Sequence, residues 1–273
     1  MSQTATPPVK LSAGRLFGEA YGLWFENFGQ WLKACVIPAV IVLLINYGVW
    51  ELLVASQAEG GKAAQSGSSL RDLATSLAQA IAFTLFAVSW HRLAVLDEPV
   101  RLMPAVGSQH VRFLIWSFFL GILVAIPAAV LVGIAAGLAD TAGGFAFVIG
   151  ALGFLGTLYL GARLSVLLPS IAVGRSLGLG GTWRLTRGNA WALFFGHLLA
   201  VIPLLIAGVV LSLVVFGGLV PSVEEGQSLS EKEAYAVLLS AYWASALLGI
   251  VMTFVVSAVN LGVASKAYRA LTS

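Results

Sequence analysis

Residues 190–220 read AWALFFGHLLAVIPLLIAGVVLSLVVFGGLV and contain no Asp, Glu, Lys or Arg. The hydrocarbon core of a bilayer is about 30 Å thick, and about 20 apolar residues in a helix cross it. This run therefore predicts a transmembrane helix. Similar runs elsewhere predict an all-α, polytopic membrane protein with six transmembrane helices. The predicted spans cover roughly 32–55, 73–95, 113–138, 143–173, 190–220 and 234–262.

The composition of the whole chain agrees with this architecture. Of 273 residues, 59% are hydrophobic and 10% are charged, and the mean hydropathy is +0.94. Soluble domains are about 45–50% apolar and about 25% charged, so a soluble enzyme, a nucleic-acid-binding protein and a disordered chain are all disfavoured. The connecting loops are too short to fold separately. We therefore expect one transmembrane domain over residues 1–273, with a short flexible tail at 1–9 and a flexible first loop at 56–72.

The basic residues predict the orientation of the six spans. Basic residues concentrate in cytoplasmic loops, and all but three of the 15 in this chain fall on one side of the predicted topology. Most acidic residues fall on the other side. This distribution predicts that both termini are cytoplasmic. The basic residues on that side are Lys10, Arg15, Lys33, Arg92, Arg101, Arg112, Arg163, Arg175, Arg184, Arg187, Lys266 and Arg269.

Spans 1, 3 and 5 share a pattern that indicates an internal repeat. Each follows a basic, partly polar segment, and each contains a proline among aliphatic residues, at Pro38, Pro127 and Pro203. The prediction is three helical hairpins, each introduced by an interfacial cytoplasmic segment, with the prolines at equivalent depths. The alternative is chance resemblance between short apolar sequences.

Rows of small residues at four-residue steps run along several spans. One row in span 3 begins at Gly121 and ends at Gly137, and a row in span 4 comprises Gly153, Thr157, Gly161 and Ser165. Such rows let helices approach closely in lipid, although they could instead line a cavity. Span 4 also contains Arg163, so it either ends near that residue or continues to about residue 173.

Polar groups inside membrane spans are costly and often functional. The candidates are Asn46 in span 1, His197 in span 5 and Asn260 in span 6, together with Arg163. Arg163, His197 and Asn260 are all expected towards the cytoplasmic side, where they could form one polar pocket. In the alternative, Arg163 extends to the headgroups and the other two side chains bond backbone carbonyls.

The segment between spans 4 and 5 combines arginine with tryptophan. Tryptophan is enriched at the boundary between hydrocarbon and headgroups, and arginine attracts anionic headgroups there. These residues could bind lipid headgroups, or they could act only as topology determinants. The residues in this group are Arg163, Trp183, Arg184, Arg187 and Trp191.

No motif in the sequence predicts catalysis, a cofactor or a metal. The three histidines lack metal-ligand spacing, and no P-loop is present. Cys35 is the single cysteine, which excludes an intrachain disulfide. The acidic residues cluster in outer loops without a histidine partner. We therefore expect a protein that is not an enzyme.

Three stretches resemble a known family. The run from Arg163 to Pro169, the segment WRLTRGN at 183–189 and the C-terminal SKAYRAL at 265–271 resemble bacterial six-span proteins related to the membrane domain of glycerophosphoryl diester phosphodiesterases. Residues 1–37 share the resemblance, which covers most of the chain loosely. The catalytic activity of that family resides in a separate soluble barrel, which these residues do not contain. The resemblance thus implies a membrane domain in the bacterial inner membrane and does not imply phosphodiesterase activity.

These observations favour a non-enzymatic inner-membrane protein that organises lipids or partner membrane proteins. The alternative is a small transporter or permease component with a polar path near Arg163, His197 and Asn260. A lipid-modifying enzyme would need an acid/base pair that the sequence does not show. The expected partners are membrane lipids or another membrane protein, and no nucleic acid is expected.

Overall fold

A computed structural model describes residues 9–58, 68–138, 141–219 and 230–273, and within these ranges the chain is helical with no strand. The all-α fold predicted from the sequence is confirmed. The described helices are α1 (Ala13–Glu26), α2 (Phe28–Ala58), α3 (Ser68–Leu96), α4 (Ser108–Leu138), α5 (Gly143–Leu164), α6 (Leu167–Ala172), α7 (Gly178–Leu185), α8 (Ala190–Leu219) and α9 (Glu231–Thr272).

Six stretches of these helices are long and apolar enough to cross a membrane, so the chain is a multi-pass membrane protein. They are Phe28–Glu51, Asp72–Leu96, Ser108–Leu138, Gly143–Ala172, Ala190–Gly218 and Tyr235–Thr272. The sixth continues well past the predicted end at 262, because Val263, Ala267 and Tyr268 are buried in the core and keep the helix packed. Of the predicted flexible tail, only Val9 lies within the described residues, and most of the 56–72 loop lies outside them.

Helix α1 precedes the first span and packs against α8 and α9. Its buried residues are Leu16, Ala20 and Leu23, whose spacing forms one apolar stripe. Two glycines on the opposing helices allow the close approach. A Cβ at Gly262 would lie 3.3 Å from Cβ of Ala20, and a Cβ at Gly196 would lie 3.3 Å from Cδ1 of Leu16.

Helix α9 is the element against which the other helices of the main core pack. The indole N–H of Trp90 on α3 donates to the Ala258 carbonyl at 2.7 Å, and that of Trp31 on α2 donates to the Phe254 carbonyl at 3.2 Å. Trp90 is fully buried. Because a buried indole N–H needs an acceptor, these two bonds fix how α2 and α3 pack against α9.

The sequence left two possibilities for the end of span 4, and the structure distinguishes them. Helix α5 ends at Leu164, a turn occupies residues 165–166, and the short helix α6 follows. Most of α6 is buried, so this segment does not lie exposed in the headgroup region. Ser165 and Val166 keep right-handed helical dihedrals, and Gly143–Ala172 counts as one membrane-spanning stretch. Span 4 therefore continues past Arg163 to Ala172, with an interruption of the helix at residues 165–166.

Pro38, Pro127 and Pro203 lie inside α2, α4 and α8. The three-hairpin repeat itself stays a prediction. The row of small residues from Gly121 to Gly137 lies exposed on α4, so it does not form a seam with another described helix. In α5, by contrast, Gly153 is buried, and a Cβ there would lie 2.8 Å from Leu131.

Candidate functional site

Arg163 and Trp183 form the first polar cluster, where α5 meets α7. The guanidinium carbon of Arg163 lies 3.4 Å from the centre of the Trp183 ring, and an Nη of Arg163 donates to the Trp183 carbonyl at 3.4 Å. Such a cation–π contact contributes about 0.5–2 kcal/mol. Arg163 has no ion pair among the described residues, so no described carboxylate neutralises its charge.

Trp191 packs against the same helix one turn away. Its ring lies 4.9 Å from that of Tyr159, and Tyr159 precedes Arg163 by four residues, so the two share one face of α5. The predicted interfacial tryptophans are therefore both placed against the last turns of α5. Each is exposed on its other side.

Arg184 and Arg187 follow Trp183 and are both exposed. Neither forms a salt bridge with a described acidic residue. Gly188 comes next with φ +82, a left-handed conformation that suits glycine, and it reverses the chain into α8. The turn thus presents Arg184 and Arg187 beside the Arg163–Trp183 stack.

A second polar cluster joins α5, α8 and α9 inside the membrane spans. His197 hydrogen-bonds Asn260 through Nδ1, and its Nε2 lies 3.0 Å from Oγ of Ser165. The expectation that His197 and Asn260 meet is therefore correct. Arg163 does not join them, because its guanidinium is held on Trp183. The alternative, in which His197 and Asn260 bond backbone carbonyls, is wrong.

Ser165 is a polar partner of His197 that the sequence did not predict. Ser165 belongs to the row Gly153, Thr157, Gly161 and Ser165, which the sequence allowed either to pack tightly against another helix or to line a cavity. A cavity of about 620 Å³ lies between α4, α5, α8 and α9, and it is lined by three residues of this row, Thr157, Gly161 and Ser165.

Asn46 lies apart from both clusters. Its side-chain Nδ2 donates to the Val42 carbonyl of its own helix at 2.8 Å, and its backbone carbonyl accepts from the Tyr242 hydroxyl at 2.6 Å. With Gln79, Ser245 and other residues it lines a separate cavity of about 400 Å³ between α2, α3 and α9. Asn46 meets α9 at Tyr242, whereas His197 meets it at Asn260, so the two sites are about 27 Å apart along that helix at 1.5 Å per residue.

Residues 174–178 read GRSLG, which matches the spacing of the turn that carries the nucleophile in α/β-hydrolases. That turn needs a strand before it and a helix after it. Here the residues connect α6 to α7, and Gly174 and Gly178 both have positive φ. No histidine among the described residues hydrogen-bonds Ser176, so the pattern lacks the geometry of such a turn.

Comparison with known protein families, with curated proteins and with solved structures found no match to this chain.

Proposed function

We propose that this multi-pass membrane protein is not an enzyme and that it binds anionic lipid headgroups between α5 and α8. The residues that bind them are Arg163, Arg184 and Arg187, and the region that carries these three residues is called the arginine turn. The observation that carries the proposal is the stack of Arg163 on Trp183, with Arg184 and Arg187 exposed beside it. Arg163 at the end of α5, Arg184 on α7 and Arg187 just after α7 have no carboxylate partner among the described residues. Such a group suits a phosphate, which arginine binds through two parallel hydrogen bonds.

The two tryptophans support a position at the membrane boundary. Indole combines an apolar body with a hydrogen-bonding edge and is enriched at the level of the headgroups. Trp183 covers one face of the Arg163 guanidinium. Stacking uses the face of the guanidinium and leaves its edge for hydrogen bonds. Nε of Arg163 is buried and one Nη already donates to the Trp183 carbonyl, so phosphate binding in this proposal rests mainly on Arg184 and Arg187.

In this proposal the protein lies in the bacterial inner membrane with both termini in the cytoplasm. The support is the concentration of basic residues on the side that includes this turn. Reporter fusions at Ser273 and within residues 221–233 test the orientation. They are expected to report opposite sides of the membrane, and reports from the same side would contradict it.

The resemblance to membrane domains of the glycerophosphoryl diester phosphodiesterase type belongs to the same proposal. The WRLTRGN segment that carries it contains Trp183, Arg184 and Arg187 and ends at Asn189. A lipid-binding role for this turn therefore assigns a physical purpose to the most distinctive part of the resemblance.

The test is lipid retention by the purified protein, measured by native mass spectrometry with phosphatidylglycerol. Arg184→Ala combined with Arg187→Ala is expected to lower phosphatidylglycerol adducts about tenfold or more, since each basic residue near a membrane contributes about 1 kcal/mol. The matched control is Arg101→Ala with Arg112→Ala, two exposed arginines on the same predicted side. Equal adducts in both double variants, each folded, would reduce the turn to a topology determinant.

A transporter or permease component is the second candidate, and the contact between His197 and Asn260 favours it. Its polar path would run past these residues and Ser165, away from Arg163. A cysteine at Ser165, in a Cys35→Ala background, reports whether water reaches the site. Labelling by a membrane-impermeant maleimide from both sides would support a path, and labelling from neither side would contradict one.

A further inference from the structure

The cavity beside His197 has the features of a binding site that is separate from the arginine turn. Its volume of about 620 Å³ falls within the range of about 300–1,000 Å³ that small-molecule sites occupy. Exposed apolar side chains form its rim, among them Phe154 on α5 and Leu205 on α8. Because both lie in membrane spans, the cavity opens towards the hydrocarbon of the bilayer.

Three of the four polar side chains that line the cavity are gathered at one end. Ser165 follows directly on the last residue of α5, at the end of that helix, whereas Phe154 lies about 16 Å further into the span at 1.5 Å per residue. His197 and Asn260 contact each other at the Ser165 end. The cavity is therefore polar at the end beside Ser165 and largely apolar beside Phe154, where the Thr157 hydroxyl donates to the Gly153 carbonyl at 2.8 Å. This distribution matches an amphiphilic lipid.

The hydrogen bonds of the cluster leave one group free to meet a ligand. Both ring nitrogens of His197 are used, by Asn260 and by Ser165. The other amide atom of Asn260 has no hydrogen bond to any residue that the structure describes, and Asn260 lines the cavity. A polar atom inside a membrane span without a partner is costly, so a ligand that pairs with it gains binding energy.

Which amide atom is free depends on the proton of His197, and a hydroxyl suits both cases. A neutral ring carries one N–H. If Nδ1 carries it, the Asn260 oxygen accepts it and the amide NH₂ is free to donate, but the Ser165 hydroxyl must then give Nε2 the proton that it donates to the Ala162 carbonyl at 2.8 Å. If Nε2 carries it, Asn260 must donate to Nδ1, and its oxygen is free to accept. A ligand hydroxyl can both accept and donate.

The lining of the cavity also sets the charge of the ligand. None of its lining residues is Asp, Glu, Lys or Arg. A charged group there would lose its water without gaining a counter-charge, which is strongly unfavourable. The anionic lipids proposed for the arginine turn are thus unsuited to this cavity.

We propose that the cavity between α4, α5, α8 and α9 binds an uncharged lipid with a hydroxyl headgroup, which hydrogen-bonds the free amide atom of Asn260 while its hydrocarbon lies along Gly161, Thr157 and Phe154. This site is independent of the arginine turn, so either proposal can fail without the other.

The test is photolabelling of the full-length protein in lipid nanodiscs. The probe is a diacylglycerol with a diazirine in one acyl chain, and the charged counterpart is phosphatidic acid with the same chains. Diacylglycerol is expected to label peptides from residues 154–165 and 194–205, and to label them at least fivefold more than phosphatidic acid. Equal labelling by the two probes, or labelling spread evenly over all spans, would overturn the proposal.

Two variants examine the cavity in different ways. Asn260→Leu removes the hydrogen bond and is expected to reduce diacylglycerol labelling about fivefold, with Asn46→Leu as the matched control.

Gly161→Leu fills the cavity and leaves the polar cluster intact. A Cβ at Gly161 meets nothing within 4 Å, so the first carbon of the new side chain is accommodated, and in the folded variant labelling is expected to be lost. Its control is Gly121→Leu, at an equally open position on α4. Undiminished labelling in a folded Gly161→Leu protein would contradict the proposal.

Discussion

Asn189 and Leu11 are joined by a 2.8 Å hydrogen bond from the Leu11 backbone N–H to Oδ1 of Asn189, although they stand 178 residues apart. The amide of Asn189 is used twice, because its Nδ2 donates to the Val9 carbonyl at 2.9 Å. The side chain is buried at the turn before α8. It therefore fixes the start of the chain to the turn that carries Arg184 and Arg187.

The first prediction concerns this connection. Asn189→Leu keeps the volume of the side chain and removes both hydrogen bonds. We expect it to lower the free energy of unfolding by about 1–3 kcal/mol, the cost of leaving buried polar groups unpaired. Thermal unfolding in detergent measures the loss, and trypsin cleavage after Lys10 should become faster. Asn46→Leu is the control, because Asn46 donates only within its own helix; equal losses in both variants would contradict the prediction.

The second prediction concerns pH and the ion pair between Asp97 and Arg269. Two contacts join them, an Nη to Oδ2 distance of 2.9 Å and an Nη to Oδ1 distance of 3.0 Å. The hydrogen bond from Arg269 lowers the pKa of Asp97, and nearby Lys266 acts in the same direction. A carboxyl with a lowered pKa stabilises the fold above its unfolded pKa, and that contribution is lost as the pH falls through the lowered value.

Asp97→Asn should therefore be slightly less stable than the native protein at neutral pH, and the difference should disappear in acid. Asparagine is the suitable replacement because Asp97 has φ +55, a conformation that asparagine tolerates. Melting temperatures from pH 7 down to pH 3 measure the difference. Asp72→Asn, at an exposed residue without a described ion pair, is the control. A difference that grows as the pH falls would have the wrong sign.

The sequence predicted the helical architecture closely and the side-chain contacts only in part. Apolar runs such as 190–220 determine the spans because the bilayer requires their length and composition. The continuation of α9 to Thr272 was missed, since Lys266 and Arg269 interrupt the apolar pattern while neighbouring residues stay buried. Hydropathy identifies segments that are stable in lipid. It does not identify residues that are buried by another helix.

The contacts of the two polar clusters could likewise be predicted only in part. Position along the chain placed His197 and Asn260 at similar depths, so their meeting could be predicted. Rotation of each helix about its axis decides which side chains face each other, and the sequence did not determine it. For that reason Arg163 was expected near His197, whereas it stacks on Trp183, and Ser165 was overlooked.

The third prediction tests the three-hairpin repeat. If spans 1, 3 and 5 are equivalent, positions two residues after each proline should lie at one depth. These positions are Val40, Ala129 and Leu205, and all three are exposed. Nitroxide labels at single cysteines there, in a Cys35→Ala background, should show matching accessibility to oxygen and to a polar nickel reagent. Depths that differ by more than about 5 Å, one helical turn, would contradict the repeat.

The last prediction concerns the contact between Gly262 and Ala20, where α1 packs on α9. A Cβ at Gly262 would lie 3.3 Å from Cβ and 3.4 Å from Cα of Ala20. Gly262→Ala should therefore force α1 away and lower the free energy of unfolding by about 1–3 kcal/mol, the usual cost of overpacking.

Two further variants assign that loss to the helix contact. Adding Ala20→Gly removes the atom nearest to the new methyl group and should restore part of the stability, since residues in contact are not additive. Gly249→Ala on the same helix is the control. A Cβ there meets nothing within 4 Å, so stability should stay the same or rise slightly, because alanine favours a helix over glycine. Unfolding in detergent measures all four proteins. If Gly262→Ala and Gly249→Ala behave alike, α1 is not held against α9 by this close approach.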